Sequence, residues 1–124
     1  MALELLLRGL RHDVYLLLDH RGRSSVRDEV AASHPTEQKQ FAARVKRLAD
    51  VGQELASHYV SLADSRSGIW YLRASKHLRV WFCVVDERIV LLNALRKTKR
   101  ETEPIGLQRA RELKALHHLM EGES

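Results

Sequence analysis

Ile69-Trp70-Tyr71-Leu72-Arg73, Leu78-Arg79-Val80-Trp81-Phe82-Cys83-Val84-Val85 and Ile89-Val90-Leu91-Leu92-Asn93-Ala94-Leu95 are three short β-runs that empty into the basic cluster Arg96-Lys97-Thr98-Lys99-Arg100. Branched and aromatic residues at this density favour strands. The links Ala74-Ser75-Lys76-His77 and Asp86-Glu87-Arg88 are of hairpin length, so the three strands are expected to be antiparallel neighbours. From Arg66 to Arg100 the chain carries nine cations, opposed only by Asp86 and Glu87. Arginines set among apolar strand residues point to a cationic sheet surface, and phosphate is the polyanion such a surface suits.

Upstream, Val14-Tyr15-Leu16-Leu17-Leu18 reads as a strand stopped by His20-Arg21-Gly22-Arg23. Ser24 or Ser25 caps a short helix that ends near Ser33-His34-Pro35, because the residue before proline disfavours helical backbone. A longer helix is expected from Thr36, its cap, to about Val51. Phe41, Val45 and Leu48 form its stripe, and Gly52 lies just past its end. Residues 53–68 are rich in Ser, Asp and Gly and read as a surface loop anchored by Leu55, Tyr59 and Leu62. A final helix starts near Thr102 and Pro104, with Leu107, Ala110, Leu113, Leu116 and Met120 as its apolar stripe. The expected fold is therefore α+β, a single domain of order β-α-α-β-β-β-α. It has a small antiparallel sheet, two helices packed on one face and a C-terminal helix. Residues 1–12 are left as a lead-in of undetermined structure.

With 124 residues and 44% apolar content, the chain can build one modest core. Lys and Arg number 21 against 16 Asp and Glu, a net charge of +5 that weakly favours nucleic acid or an acidic partner. The single cysteine, Cys83, excludes an internal disulfide and reads as a small buried hydrophobe. No apolar run approaches the roughly 20 residues of a membrane span, and the opening segment lacks a signal-peptide pattern, so the expected location is the cytoplasm. No P-loop, dinucleotide fingerprint or nucleophile elbow occurs. His117 and His118 are adjacent and diverge on a helix, and no Cys/His spacing suits zinc, so neither a metal nor another cofactor is expected.

Alternation sorts the strand residues. Leu72, Leu78, Val80, Phe82 and Val84 share the face expected to meet the two early helices. Tyr71, Arg73, Arg79, Trp81, Cys83 and Val85 share the other, expected to lie uncovered. Such a face suits RNA: guanidinium forms bidentate bonds to phosphate, and bases stack on aromatic rings. Set against that, Arg73 and Arg79 could pair with acids of the last helix such as Glu112, and Tyr71 and Trp81 could be packing residues.

The segments Ile69–Arg73 and Leu78-Arg79-Val80-Trp81-Phe82, then Ile89-Val90-Leu91-Leu92 followed by a basic turn, Thr102 and Pro104, resemble the RelE/ParE toxin superfamily, and most nearly its HigB-like, phage-derived branch. The resemblance covers about residues 13–118. It implies a toxin of a type II toxin-antitoxin system that cleaves mRNA, usually on the ribosome, and is silenced by a helix-turn-helix antitoxin. By position it assigns Arg73, Arg79 and Lys97 to the site. Leu95 stands where the family has an aromatic, Thr98 where it has a second lysine and Leu72 where an acid is common. Thr102-Glu103-Pro104 carries one residue more than the family's pattern before proline.

Cleavage by the 2′-oxygen needs a base, positive charge for the transition state and an acid. Arg73, Arg79 and Lys97 suit the charge role, and His77 titrates in the useful range. Tyr71, Lys76, Trp81, Arg96, Lys99 and Arg100 are the expected RNA contacts. The acid and base stay unassigned. The alternatives are a ParE-like inhibitor of DNA gyrase and a non-catalytic RNA-binding accessory protein. Arg79→Ala is expected to leave the fold intact, on the premise that this arginine is exposed.

Overall fold

The computed structural model describes residues 2–54, 56 and 58–122, with side chains as far as residue 116. The elements are β1 (Ala2–Arg8), β2 (Asp13–Leu18), α1 (Ser25–Ala31), α2 (Pro35–Val51), β3 (Val60–Asp64), β4 (Ile69–Arg73), β5 (Leu78–Val85), β6 (Arg88–Arg96) and α3 (Thr102–Gly122). Among the described residues the strands form one sheet in the order β1-β2-β6-β5-β4-β3. The α+β class stands; the expected element order does not, because two strands escaped the sequence reading. β1 lies in the unassigned lead-in, and its run Leu5-Leu6-Leu7 lacks alternation because it is an edge strand with a bulge between Leu5 and Leu7. β3 lies in the stretch read as a loop, the opposite edge of the sheet, where only Val60 is buried. Of the expected anchors there, Tyr59 and Leu62 are exposed and Leu55 is outside the described residues; Ala56 and Val60 bury instead.

The sheet is mixed rather than purely antiparallel. The hairpins β4-β5 and β5-β6 are antiparallel as expected, but β2 runs parallel to β6, with Val14 beside Ile89 and Leu16 beside Leu91. Two helices and three strands separate β2 from β6 in sequence, which gives the chain room for the crossover that a parallel pair needs. The β5-β6 turn is only Asp86-Glu87, with φ of 50° and 65°, because Arg88 already belongs to β6. A two-residue hairpin turn with both central residues at positive φ matches the right-handed strand twist.

Capping fixes the two early helices. Ser24 Oγ accepts from Arg27 N at 3.2 Å at the head of α1. α2 begins at Pro35, not Thr36: proline is suited to a first helical position, and His34 Nδ1 caps it by accepting from Thr36 N. Gly52 ends it at φ 85°. Their apolar faces, Val26 from α1 and Phe41, Val45 and Leu48 from α2, bury against Val14, Leu16, Leu72, Leu78, Val80, Phe82 and Leu91. This face of the sheet is the one that alternation selected.

The other face is not bare. α3 lies across it, and Leu17, Ile69, Tyr71, Trp81, Cys83, Val90 and Leu92 form a second core with Ala110, flanked by Leu107 and Leu113. Two local features allow the close approach. A bulge pairs Phe82 with Leu91 but Trp81 with Asn93, so Leu92 is the extra residue of β6. Asn93, on the α3 side, then donates from Nδ2 to the Gly106 carbonyl at 3.1 Å. Gly106 sits directly on the Trp81 ring, and a Cβ there would lie 2.0 Å from Trp81 Cη2. Glycine costs a helix interior roughly 1 kcal/mol relative to alanine, so its place here is explained by steric room rather than propensity.

Candidate functional site

Between this second sheet face and the first turns of α3 opens a cavity of about 560 Å³. Its floor is the paired ends of two strands: Tyr71 lies opposite Trp81 and Arg73 opposite Arg79 across β4 and β5. Ser61 and Ala63 of β3 line one side; Lys97, Glu103, Pro104 and Leu107 line the other. Register alone therefore brings the two arginines together, since directly paired residues point to the same face. Among the described residues Arg73, Arg79 and Lys97 bring three positive charges to the cavity, and Glu103 one negative charge.

The two arginines are held differently. Arg73 is exposed and donates from Nη2 to the His58 carbonyl at 2.7 Å. Arg79 is only 9% exposed, which overturns the premise that it contributes little to packing. Its Nη1 donates to the carbonyls of Ser75 at 2.7 Å and Leu78 at 3.2 Å, while its buried Nε has no partner. The guanidinium is thus anchored to two backbone carbonyls and brings a partly desolvated positive charge to the cavity lining.

At the other side, Tyr71 Oη donates to Glu103 Oε1 at 2.8 Å, and Lys97 Nζ donates to the same oxygen at 2.8 Å. The Lys97 ammonium, then the Tyr71 hydroxyl, hold the Glu103 carboxyl below the usual glutamate range. Burial first, and then the bond to Glu103, push the Tyr71 phenol well up, with the Arg79 charge acting in opposition. At neutral pH the site thus holds an ionised carboxylate and a protonated phenol among fixed cations.

Other sequence candidates lie elsewhere. His77 is exposed in the β4-β5 turn and outside the cavity lining; its carbonyl accepts from Lys97 N at 2.6 Å, which helps place the lysine. Lys76, Lys99 and Arg100 are exposed on the flanking loops. Arg96 turns to the opposite, helix-bearing side, where it meets Glu37 Oε1 at 3.3 Å and Ser33 Oγ at 3.0 Å. Trp81 is buried, its ring 5.4 Å from that of Tyr71 and covered by Gly106, so it presents no free face for stacking. Glu112, the acid considered as an arginine partner, accepts from Gln108 instead.

Glu103, Ser61 and Ala63 are the cavity residues that sequence reasoning did not single out. Ser61 was hidden with β3. Glu103 left one signal, the extra residue in Thr102-Glu103-Pro104, but nothing in the chain says that the helix carrying it closes over the arginines.

No curated protein matches the chain. Residues 28–115, from within α1 to within α3 and so including every cavity-lining residue, match the family model described as phage-derived protein Gp49-like (DUF891). The chain belongs to this Gp49-like family of phage-derived proteins, a RelE/ParE-like toxin-type family.

Proposed function

We propose that the protein is the toxin of a type II toxin-antitoxin pair, an endoribonuclease of the HigB-like kind that cuts mRNA on the ribosome and so halts translation. The observation that carries this reading is the juxtaposition of Arg73, Arg79 and Lys97 around one cavity, with the buried Arg79 Nε unpartnered. Phosphoryl chemistry at RNA asks for preorganised positive charge where the pentacoordinate transition state gathers negative charge, and one such contact is worth about 3–4 kcal/mol in the barrier. The 2′-oxygen attacks phosphorus, the P–O5′ bond breaks, and a cyclic phosphate and a 5′-hydroxyl result. A cytoplasmic location, a helix-turn-helix antitoxin and the ribosome as partner belong to the same proposal. Among the described residues no helix is long and apolar enough to cross a membrane.

The test is induction in cells followed by mapping of mRNA 5′ ends. New ends inside coding frames are expected with the wild type and absent with Arg73→Ala. Arg73 is the clean variant: it is exposed, so its loss costs within about 0.5 kcal/mol of stability. Arg79→Ala removes a side chain that donates to the Ser75 carbonyl, while the Leu78 carbonyl keeps the Ala74 amide; the change costs about 1–3 kcal/mol, so its loss of activity must be read beside its unfolding curve. Growth arrest with intact mRNA and damaged DNA would replace the nuclease with a gyrase inhibitor.

A further inference from the structure

Within the nuclease reading, on which this inference rests, the 2′-hydroxyl needs a group to take its proton. We infer that Glu103 is that general base, acting through Oε2, with Lys97 as the acid that serves the leaving oxygen.

The geometry is specific about which oxygen works. Tyr71 and Lys97 both donate to Oε1, which anchors that oxygen by two contacts of 2.8 Å. Glu103 lines the cavity, and neither of these two bonds uses its other oxygen, Oε2. A carboxylate held by one oxygen keeps its second as an acceptor, and a hydroxyl bound in the cavity is the donor it would meet. The titratable and charged groups that share the cavity with Glu103 are Tyr71 and Arg73 from β4, Arg79 from β5 and Lys97 beyond β6, all cationic or neutral. The carboxylate is thus ionised and ready to accept a proton at neutral pH. Its partner charges are also those that would seat the scissile phosphate, which brings the 2′-oxygen to the carboxylate rather than to bulk water.

The step balances within the site. The 2′-O–H proton passes to Glu103 Oε2 as the 2′-O–P bond forms; the P–O5′ bond breaks, and O5′ takes a proton from the Lys97 ammonium. After product leaves, solvent takes the proton from Glu103 Oε2 and supplies one to the neutral Lys97 amine, restoring both groups and the Nζ–Oε1 bond between them. Tyr71 does not transfer a proton; it is a positioning residue that holds Oε1. A substrate requirement follows: the nucleotide before the cut must carry a 2′-hydroxyl.

The experiment is single-turnover cleavage of a defined mRNA on purified ribosomes by the full chain, comparing wild type, Glu103→Gln and Glu103→Asp over a range of pH. Glutamine keeps the Oε1 acceptor for Tyr71 and Lys97 but removes the basic oxygen. It should lower the cleavage rate by roughly 10²–10⁴-fold, leave mRNA binding within a few-fold, and abolish the acid limb of the pH–rate profile. Aspartate should retain part of the rate and that limb. An mRNA with a single 2′-deoxy nucleotide at the cut site should resist the wild type. If Glu103→Gln instead cleaves as fast as wild type and binds mRNA more tightly, the carboxylate is only a place-holder for phosphate and the assignment falls while the nuclease reading stands. Wild type that cuts no RNA sinks both. Matched thermal unfolding of the variants excludes loss of fold as the cause.

Discussion

Gly106→Ala separates two accounts of α3. In an exposed helix this change is stabilising by about 1 kcal/mol, because alanine is the better helix former. In this protein the new Cβ would meet Trp81 Cη2 at 2.0 Å, with Cζ2 at 2.3 Å and Cζ3 at 2.4 Å. Carbon atoms rest at about 3.5–4.0 Å, so the ring or the helix must yield by roughly 1.5 Å. The ring cannot yield cheaply, being 1% exposed in the centre of the second core. Overpacking of this sort costs about 1–3 kcal/mol. Set against the propensity gain, a net loss of about 1–2 kcal/mol is expected at the upper half of that range. For 124 residues that lowers the melting temperature by roughly 4–8 °C, from an unfolding entropy near 2.1 cal/mol/K per residue. The assay is thermal and urea unfolding followed by tryptophan fluorescence, which also reports displacement of the helix from Trp81. A variant more stable than wild type, with unchanged emission, would show that α3 does not dock through Gly106. The cavity described between α3 and the sheet would then lose its wall.

Two further outcomes are expected. Ser75 Oγ donates to Glu37 Oε2 at 2.6 Å, and this bond first, then Arg96, holds the Glu37 carboxyl below the usual range. A depressed folded-state value means stability that is present above the ordinary glutamate range and lost as pH falls through the folded value. The stability difference between wild type and Glu37→Gln should therefore be largest near about pH 7 and shrink toward about pH 3, measured by urea unfolding; a constant difference would refute the network's ionic role. Glu87 sits at φ 65° in the β5-β6 turn. Glycine there relieves about 1–2 kcal/mol of left-handed strain and loses about 0.5–1 kcal/mol to unfolded-state freedom, so Glu87→Gly should raise the urea midpoint, and a lower one would count against the turn.

Much of the site was legible because it is encoded by a period. Alternation along β4 and β5 placed Tyr71, Arg73, Arg79 and Trp81 on one face, and short links made those strands neighbours, so the pairing of Arg73 with Arg79 followed. Arg96, expected beside Lys97 among the RNA contacts, goes instead to Glu37, because consecutive residues leave the strand on opposite sides. The edge strands were not legible. Solvent takes one side of an edge strand's hydrogen bonds, so β1 and β3 need little apolar alternation, and β3 is spelled with serine, alanine and aspartate. Nor could the exposure of Arg79 be read, since it depends on how closely a helix some 25 residues downstream approaches.

Local spacing along the chain determined the helices that face Leu72 and Phe82, the antiparallel hairpins and the choice of arginines, because each is a matter of neighbours a few residues apart. Tertiary structure decided the rest: the parallel contact of β2 with β6, the helix laid over the second face, and the meeting of Glu103 with Tyr71 and Lys97. Those contacts join segments whose amphipathic patterns are compatible with several partners. Only packing, a glycine against a tryptophan ring and one extra residue in β6, selects among them.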